Sequence, residues 1–332
     1  MALIKQQPED FIVEEITNVK QGKGDYCYFW LKKKNYTTMD AVRRVGRLLG
    51  VKKVGFAGTK DKKAVTRQLC SAYGVTKQMV ERAKLKDIEL DFFGYGDVPI
   101  SLGDLEGNKF VIIVRDVYAK QLNNFKSKIK NKKVVNYFDE QRFSEYNVEI
   151  GKAIVTRDFK KAVELICKGK GDYNKAAFDY IGKNKNYVVA LQMLPKKILT
   201  LFVHAYQSWL WNETVRILVG GGSEVKYSQG IFVFPNKKIR NMKIPLLGFG
   251  TEIEENKIKI IITTLLKKEE ITLRDFIIRQ LPEVSVDGSE RDMVIDVKDM
   301  KYWIDGDRVK LSFFLPKGSY ATIVVKSLFE AK

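Results

Sequence analysis

Apolar residues alternate with polar ones at the two ends of the chain and recur with helical spacing through its middle. "FIVEEI" (11–16) and "DYCYFWLKK" (25–33) are β-branched and aromatic runs of strand length. Thr37 or Thr38 is placed to cap a helix in which Met39, Val42, Val45, Leu48 and Leu49 recur at spacings of three and four; Gly50 is placed to end it. Arg43, Arg44 and Arg47 share its other side, which reads either as a solvated face or as a cationic one for a ligand. "VKKVGFAG" (51–58) predicts a short strand entering a glycine turn at Gly58, and "AVTRQLCSAYGV" (64–75) a second strand on the far side. Asp61 then lies in or beside a loop on a stiff scaffold. "LDFFGYGDVPISLGDLEGNKFVIIVRDV" (90–117) reads as two further strands around a "GDLEGN" turn, with "KFVIIVRDV" apolar enough to be central in a sheet.

After about residue 150 the period changes. "DFKKAVELICK", "LPKKILTLFVHAYQSWLWNETVRILV" and "TLRDFIIRQL" are helical in pattern, with Leu201, Ala205, Trp209 and Asn212 one helical step apart. The joints "KGKGDYNK" and "GGGSE" separate them. "DRVKLSFFLPKGSYATIVV" returns to alternation, with Val309, Leu311, Phe313 and Leu315 on one face. Strands at both ends and helices between them predict a sheet domain interrupted by an inserted domain.

Composition narrows the partners. At roughly 150 residues per domain, 332 residues make two domains, each able to bury a core. A net charge of +19 implies a polyanionic partner, for which nucleic acid is the usual candidate. Cys27, Cys70 and Cys167 are odd in number and far apart, so neither a disulfide framework nor a zinc site is suggested and a reducing cytoplasm is the expected compartment. "MALIKQQPEDFIVEEI" lacks the features of a signal peptide, and no apolar run approaches the ~20 residues that span a bilayer, so no membrane association is expected.

Several chemistries fail on spacing. Gly50 and Gly55 are five apart, but Phe56 follows where a phosphate loop needs lysine. His204 is the single histidine and sits among apolar helical neighbours, which reads as a structural residue. Cys70, inside an apparent strand, is expected to be buried rather than reactive. What remains is one carboxylate among cations: "FAGTKDKKAVTRQ" (56–68) sets Asp61 between Lys60 and Lys62, with Lys63 and Arg67 close by. Nearby positive charge favours its ionised form, available as nucleophile or base; the same sequence also fits a surface ion pair. "VVNYFDEQRFSEYN" (134–147) interleaves Tyr137, Phe138, Phe143 and Tyr146 with Asn136, Gln141 and Arg142, which suits an unstacked RNA base or an ordinary amphipathic turn.

Together these stretches resemble the TruD family of tRNA pseudouridine synthases. Gly58, Lys60, Asp61, Ala64 and Gln68 fill the family's Gly-x-Lys-Asp-x-x-Ala-x-x-x-Gln signature, and Phe11, Val13 and Glu15 its Phe-x-Val-x-Glu motif, preceded by Lys5. "NYFDEQRF" resembles the family's Asn-Tyr-Phe-Gly-x-Gln-Arg-Phe-Gly motif, except that Asp139 and Ser144 stand where the family carries glycine. "SLGDLEGNKFVIIVRDV" and "FFLPKGSYATIVV" resemble flanking segments in the expected order.

The resemblance implies an α+β protein: a pseudouridine synthase catalytic domain with a mixed or antiparallel sheet from about 1–154 and 301–332, and an inserted TruD-specific α/β domain over about 155–300. It implies isomerisation of a tRNA uridine, position 13 of the D arm in the family, without metal or organic cofactor, by a monomer. It assigns catalysis to Asp61, stacking on the flipped base to Phe138 and hydrogen bonding near the aspartate to Asn136. Lys60, Arg67, Gln68 and Arg142 join them in substrate binding, while Lys5 and Glu15 order the active-site wall. Cationic loops at "KNKNY", "LPKK" and "FPNKKIRNMK" suit phosphate. The competing expectation is a non-catalytic RNA-binding protein on the same scaffold; a basic protein of ribosomal RNA is a third.

Overall fold

The alternating segments at the two ends of the chain form one eight-stranded sheet in this computed structural model, which describes residues 3–144, 146–169, 179–180 and 184–331. Strands β1 (Phe11–Ile16), β2 (Tyr26–Lys34), β3 (Gly55–Phe56), β4 (Val65–Tyr73), β5 (Ile88–Gly96) and β6 (Gly107–Val114) are joined by the hairpin Lys298–Asp305 and Arg308–Pro316. The order runs from that hairpin through β6, β1, β4 and β2 to β5, with β3 attached to β4. β1 and β4 run parallel and the other pairs antiparallel, so the sheet is mixed and the class is α+β.

The chain divides into two compact units: Met1–Lys133 with Asp296–Ala321 and Leu328–Glu330, and Val134–Ile295 with Thr322–Ser327 and Ala331–Lys332. The division falls after 133 and 295, whereas the resemblance implies borders at about 154 and 300. Residues 134–155 sort with the second unit because the helix Asn147–Val155, buried along most of its length, packs on the long helix Lys196–Val219.

In the first unit, helix α1 (Thr38–Leu48) starts where the Thr37 hydroxyl accepts from the Asp40 amide, and Gly50 follows it with φ +69. Ala41, Val42, Val45 and Leu49 pack on Cys27, Phe29 and Leu31 of β2 and Cys70 and Ala72 of β4. Full burial of such a side chain contributes about 1.5–3 kcal/mol. Two members of the expected stripe, Met39 and Leu48, are instead 47% and 46% exposed, because at 3.6 residues per turn they fall just outside the two margins of the face that Ala41, Val42, Val45, Gly46 and Leu49 bury. Arg43, Arg44 and Arg47 are exposed as read. The strand expected over 51–58 shrinks to Gly55–Phe56: the Val51 amide still bonds back to Gly46 of α1, and a Cβ on Gly55 would meet the Ile100 carbonyl at 2.4 Å.

The second unit is organised around the 24-residue helix Lys196–Val219, apolar almost all round and buried along its middle; of its expected stripe, Ala205 and Asn212 are buried but Leu201 faces solvent. Two small antiparallel pairs flank it, Ser223–Tyr227 with Gly230–Phe234 and Lys243–Leu246 with Ser289–Asp292. "TLRDFIIRQL" is not a helix. Thr272 and Asp275 close a single turn over Leu273–Phe276, after which Ile277 is extended and the Ile278 amide bonds to the Ser285 hydroxyl. The helix of that region is Asn256–Glu269, whose Ile258, Ile262, Leu265 and Leu266 are buried. The C-terminal alternation holds for Val309, Leu311, Phe313 and Leu315, then stops at Pro316; beyond Gly318 (φ +80), "ATIVV" opens the helix Ala321–Phe329. Most of the joint "KGKGDYNK" and part of "KNKNY" lie outside the described residues.

Candidate active site

Asp61 sits on the loop 57–64 that joins β3 to β4, and hydrogen bonds fix the main chain on both sides of it. The Gly58 carbonyl accepts from Gln68 Nε2 (3.1 Å), the Lys60 amide donates to the Thr38 hydroxyl (2.9 Å), and the Asp61 carbonyl accepts from Lys33 Nζ (2.9 Å). The Ala64 carbonyl accepts from the Asn35 amide, and the Gly103 amide donates to the Ala57 carbonyl. The Asp61 side chain keeps 28% of its surface, and its Oδ2 accepts from Lys5 Nζ at 2.8 Å. Lys5 holds a left-handed backbone, φ +57, which costs roughly 1–3 kcal/mol in a residue with a side chain. Its ammonium also lies 4.1 Å from the Phe11 ring centre.

The first unit brings Lys5, Glu15, Lys60, Asp61, Arg67 and Gln68 into this neighbourhood in three different ways. Lys60 and Glu15 form an ion pair at 2.5 Å with side chains 5% and 0% exposed, and the second oxygen of Glu15 accepts from the Leu69 amide. Lys60 therefore turns its cation inward to anchor the loop, rather than outward to a phosphate. Gln68 is fully buried and spends both ends of its amide on Thr38 and Gly58, so it supports the loop too. Arg67 is the outward-facing cation of the set: it pairs with Glu14 at 3.0 Å, stacks 4.1 Å from the Trp30 ring centre, and keeps 33% of its side chain exposed.

The second unit assembles Asn136, Phe138 and Arg142. The Phe138 amide donates to Asn212 Oδ1 (3.0 Å) and its carbonyl accepts from Asn212 Nδ2 (2.9 Å), so a buried side chain holds both polar groups of one peptide residue. Arg291 lies 4.1 Å from the Phe138 ring centre and Trp211 meets the ring edge-on. Arg291 also donates to the Asn136 carbonyl and to Asn136 Oδ1 (2.7 Å), while Asn136 Nδ2 donates to the Asp292 carbonyl. Arg142 Nε donates to the Ser208 hydroxyl (3.1 Å). Phe138, Arg142, His204, Gln207, Ser208 and Arg291 line part of a cavity of about 450 Å³. His204 is half-buried in that wall, and burial first, then the Arg142 charge, push its imidazole below the usual range, which favours the neutral ring.

The two departures from the family glycines are accommodated. Asp139 has φ −97, which any residue adopts, and its buried carboxylate takes Lys326 as partner. Ser144 has no positive φ, and its hydroxyl accepts from Asn147 Nδ2 at 2.8 Å. Cys27 and Cys70 are fully buried and burial pushes both thiols up, Cys27 to about 11.

Sequence reading offered Thr38 only as a helix cap and missed Lys33, Asn212 and Arg291 as supports of the site. A signal existed for two of them. Lys33 continues the buried phase of β2 after Cys27, Phe29 and Leu31, and Asn212 interrupts the buried face of an apolar helix. Arg291 carries none, because its partner Asn136 is 155 positions away.

Comparisons with known proteins bear on the family of the chain. The family described as "tRNA pseudouridine synthase D (TruD)" matches residues 1–179, 167–243 and 234–328. A tRNA pseudouridine synthase D of Aquifex aeolicus (strain VF5) is 31% identical, covering 98% of this chain and 97% of its own length. A Thermococcus onnurineus (strain NA1) relative with the same assignment is 33% identical over 98% of this chain and 94% of its own. A crystal structure assigned to the tRNA pseudouridine synthase D of Methanosarcina mazei superposes with a TM-score of 0.73 at 27% identity, covering the whole of this chain and 94% of the other. The chain belongs to the tRNA pseudouridine synthase D (TruD) family.

Proposed function

We propose that the protein isomerises a tRNA uridine to pseudouridine, with position 13 of the D arm as the target and Asp61 as the catalytic group. The reaction breaks the C1′–N1 bond, turns the detached uracil, and joins C1′ to C5, from which a proton leaves to solvent while the freed N1 takes one up. Asp61 acts as nucleophile at C1′ or as base at the neighbouring C2′; either role calls for an approachable carboxylate held still. The observation that carries the reading is the contrast between the two acids paired with motif lysines: Glu15 is sealed at 0% exposure, whereas Asp61 keeps 28% on a pinned loop.

The substrate uridine must leave its stack first, at a cost of about a few kcal/mol. Phosphate contacts from the basic surface offset this, in line with the net charge of +19. In this reading Phe138, Asn136 and Arg142 serve the base and its phosphate, and Arg67 meets the RNA backbone. No helix among the described residues is long and apolar enough to cross a membrane, and a monomer in the cytoplasm is the proposed state.

Tritium release from tRNA labelled at uridine C5 tests the assignment. The wild-type chain is expected to release tritium, a transcript with cytidine at position 13 to lose that release, and Asp61→Asn to lower kcat on the order of 10³-fold or more while still binding tRNA. Full turnover by Asp61→Asn overturns the role of Asp61. Salt-sensitive tRNA binding by the wild type with no isomerisation returns the chain to the RNA-binding alternative.

A further inference from the structure

Lys33 is 1% exposed and has no carboxylate partner among the described ion pairs. It follows Cys27, Phe29 and Leu31 on the buried face of β2, where an aliphatic side chain is the cheaper choice. Its ammonium instead donates to two main-chain carbonyls, Tyr36 at 2.8 Å and Asp61 at 2.9 Å. The residues in register with it on β4 and β5 are Thr66 and Ile88, both uncharged. The charges acting on it come from Asp61 and Lys60 in the loop, and Glu9, Lys32, Lys34, Asp87 and Glu89 border the cavity of about 230 Å³ that it shares.

We propose that Lys33 is a positioning residue for the reaction, its buried ammonium gripping the Asp61 carbonyl from inside the fold so that the carboxylate is presented in one orientation. This rests on the reading that Asp61 performs the catalysis. A charged donor makes a shorter and stronger bond to a carbonyl than a neutral amine does, so the grip depends on protonation. Burial pushes Lys33 down to about 8, with Asp61 pulling it up and Lys60 pushing it further down. On raising the pH the folded state therefore loses this proton before the unfolded chain does. Between about 8 and the ordinary 10.5 the Lys33 contribution to folding stability rises while the grip weakens. A purely structural lysine has no reason to lower kcat in that window.

The test uses the full chain and its Lys33→Met, Lys33→Arg and Asp61→Asn variants, with kcat and KM from tritium release between about pH 7 and about 9.5, and urea unfolding alongside. Lys33→Met removes the desolvation cost of a buried cation but strands the Tyr36 and Asp61 carbonyls, so it is expected to shift the unfolding midpoint little, to lower kcat on the order of 10- to 100-fold, and to leave KM for tRNA within about threefold. The wild-type kcat is expected to decline above about pH 8 through loss of the Lys33 charge, and neither Lys33 variant to share that decline. Lys33→Arg keeps a cation throughout and is expected to recover part of the activity that the methionine loses. A folded Lys33→Met with wild-type kcat overturns the inference, as does the same alkaline decline in wild type and Lys33→Arg, a comparison that stands even where the methionine variant does not fold. Turnover by Asp61→Asn is a separate result, and it removes the underlying reading instead.

Discussion

Asp61 and Phe138 both ride on irregular segments, and the molecule holds the two by different means. The Asp61 loop is fastened by buried charge: Lys33 on a carbonyl, Lys60 on Glu15, and Glu15 in turn on the Leu69 amide. The Phe138 peptide is held by a neutral amide, with Asn212 taking both its N–H and its C=O. Charge is a strong fastening that carries its own hazard, because a buried ion that loses its partner costs far more than the pair ever contributed. An amide clamp is weaker per contact and indifferent to pH. The loop bearing the acid is therefore the more easily broken of the two, and it alone responds to protonation.

Glu15→Gln tests that contrast at its most severe point. The glutamine keeps an oxygen for the Leu69 amide but leaves the Lys60 ammonium buried without a counter-ion, so a loss of about 3–5 kcal/mol is expected in urea unfolding. Adding Lys60→Met to the same chain is expected to recover most of that loss, since a buried pair can be replaced by apolar volume at little cost. A single-variant loss under about 1 kcal/mol would show that the pair is hydrated and that the loop is not held by charge.

Asn212→Ala is the matching experiment on the neutral side. It strands a buried N–H and a buried C=O of Phe138, each costing about 1–3 kcal/mol, so a loss of at least about 2 kcal/mol is expected, unchanged in size between low and high salt. A loss that shrinks as salt is added contradicts the neutral clamp and places a charge in the Phe138 support.

How much of this was legible depended on the range of the interaction. The strands of the sheet and helix α1 follow from local period and capping, and so does the loop character of 57–64. The C-terminal "ATIVV" did not, because its β-branched residues favour a strand locally while burial on the opened helix decided the outcome. At the site, the motif positions of Asp61 and Lys5 were readable, but the inward turn of Lys60 was not: a lysine beside an aspartate looks solvated until β1 brings Glu15 beneath it from 45 positions away. Arg291 over Phe138 is the same case at longer range. Local sequence carries which chemistry is present; burial, which sorts anchoring cations from available ones, is set by pairings that distance in the chain conceals.

Arg67 supplies the smallest effect and the cleanest separation of the two kinds of cation. It lies in the same stretch as Lys60, yet its guanidinium is one-third exposed, its partner Glu14 is 43% exposed, and the pair spans β1 and β4 at the surface. Such pairs contribute about 0–1 kcal/mol, and stacking on Trp30 adds about 0.5–1 kcal/mol. Arg67→Ala is therefore expected to shift unfolding by about 1 kcal/mol, against the several kcal/mol of Glu15→Gln. If the exposed cation meets an RNA phosphate, the same variant weakens tRNA binding and lowers the slope of log affinity against log salt by about 1, with kcat nearly unchanged. An unaltered salt slope removes Arg67 from the RNA interface and leaves it as a surface brace between two strands. A drop in kcat at unchanged affinity would mean instead that the β1–β4 pair, like the buried cations beneath it, serves to hold Asp61.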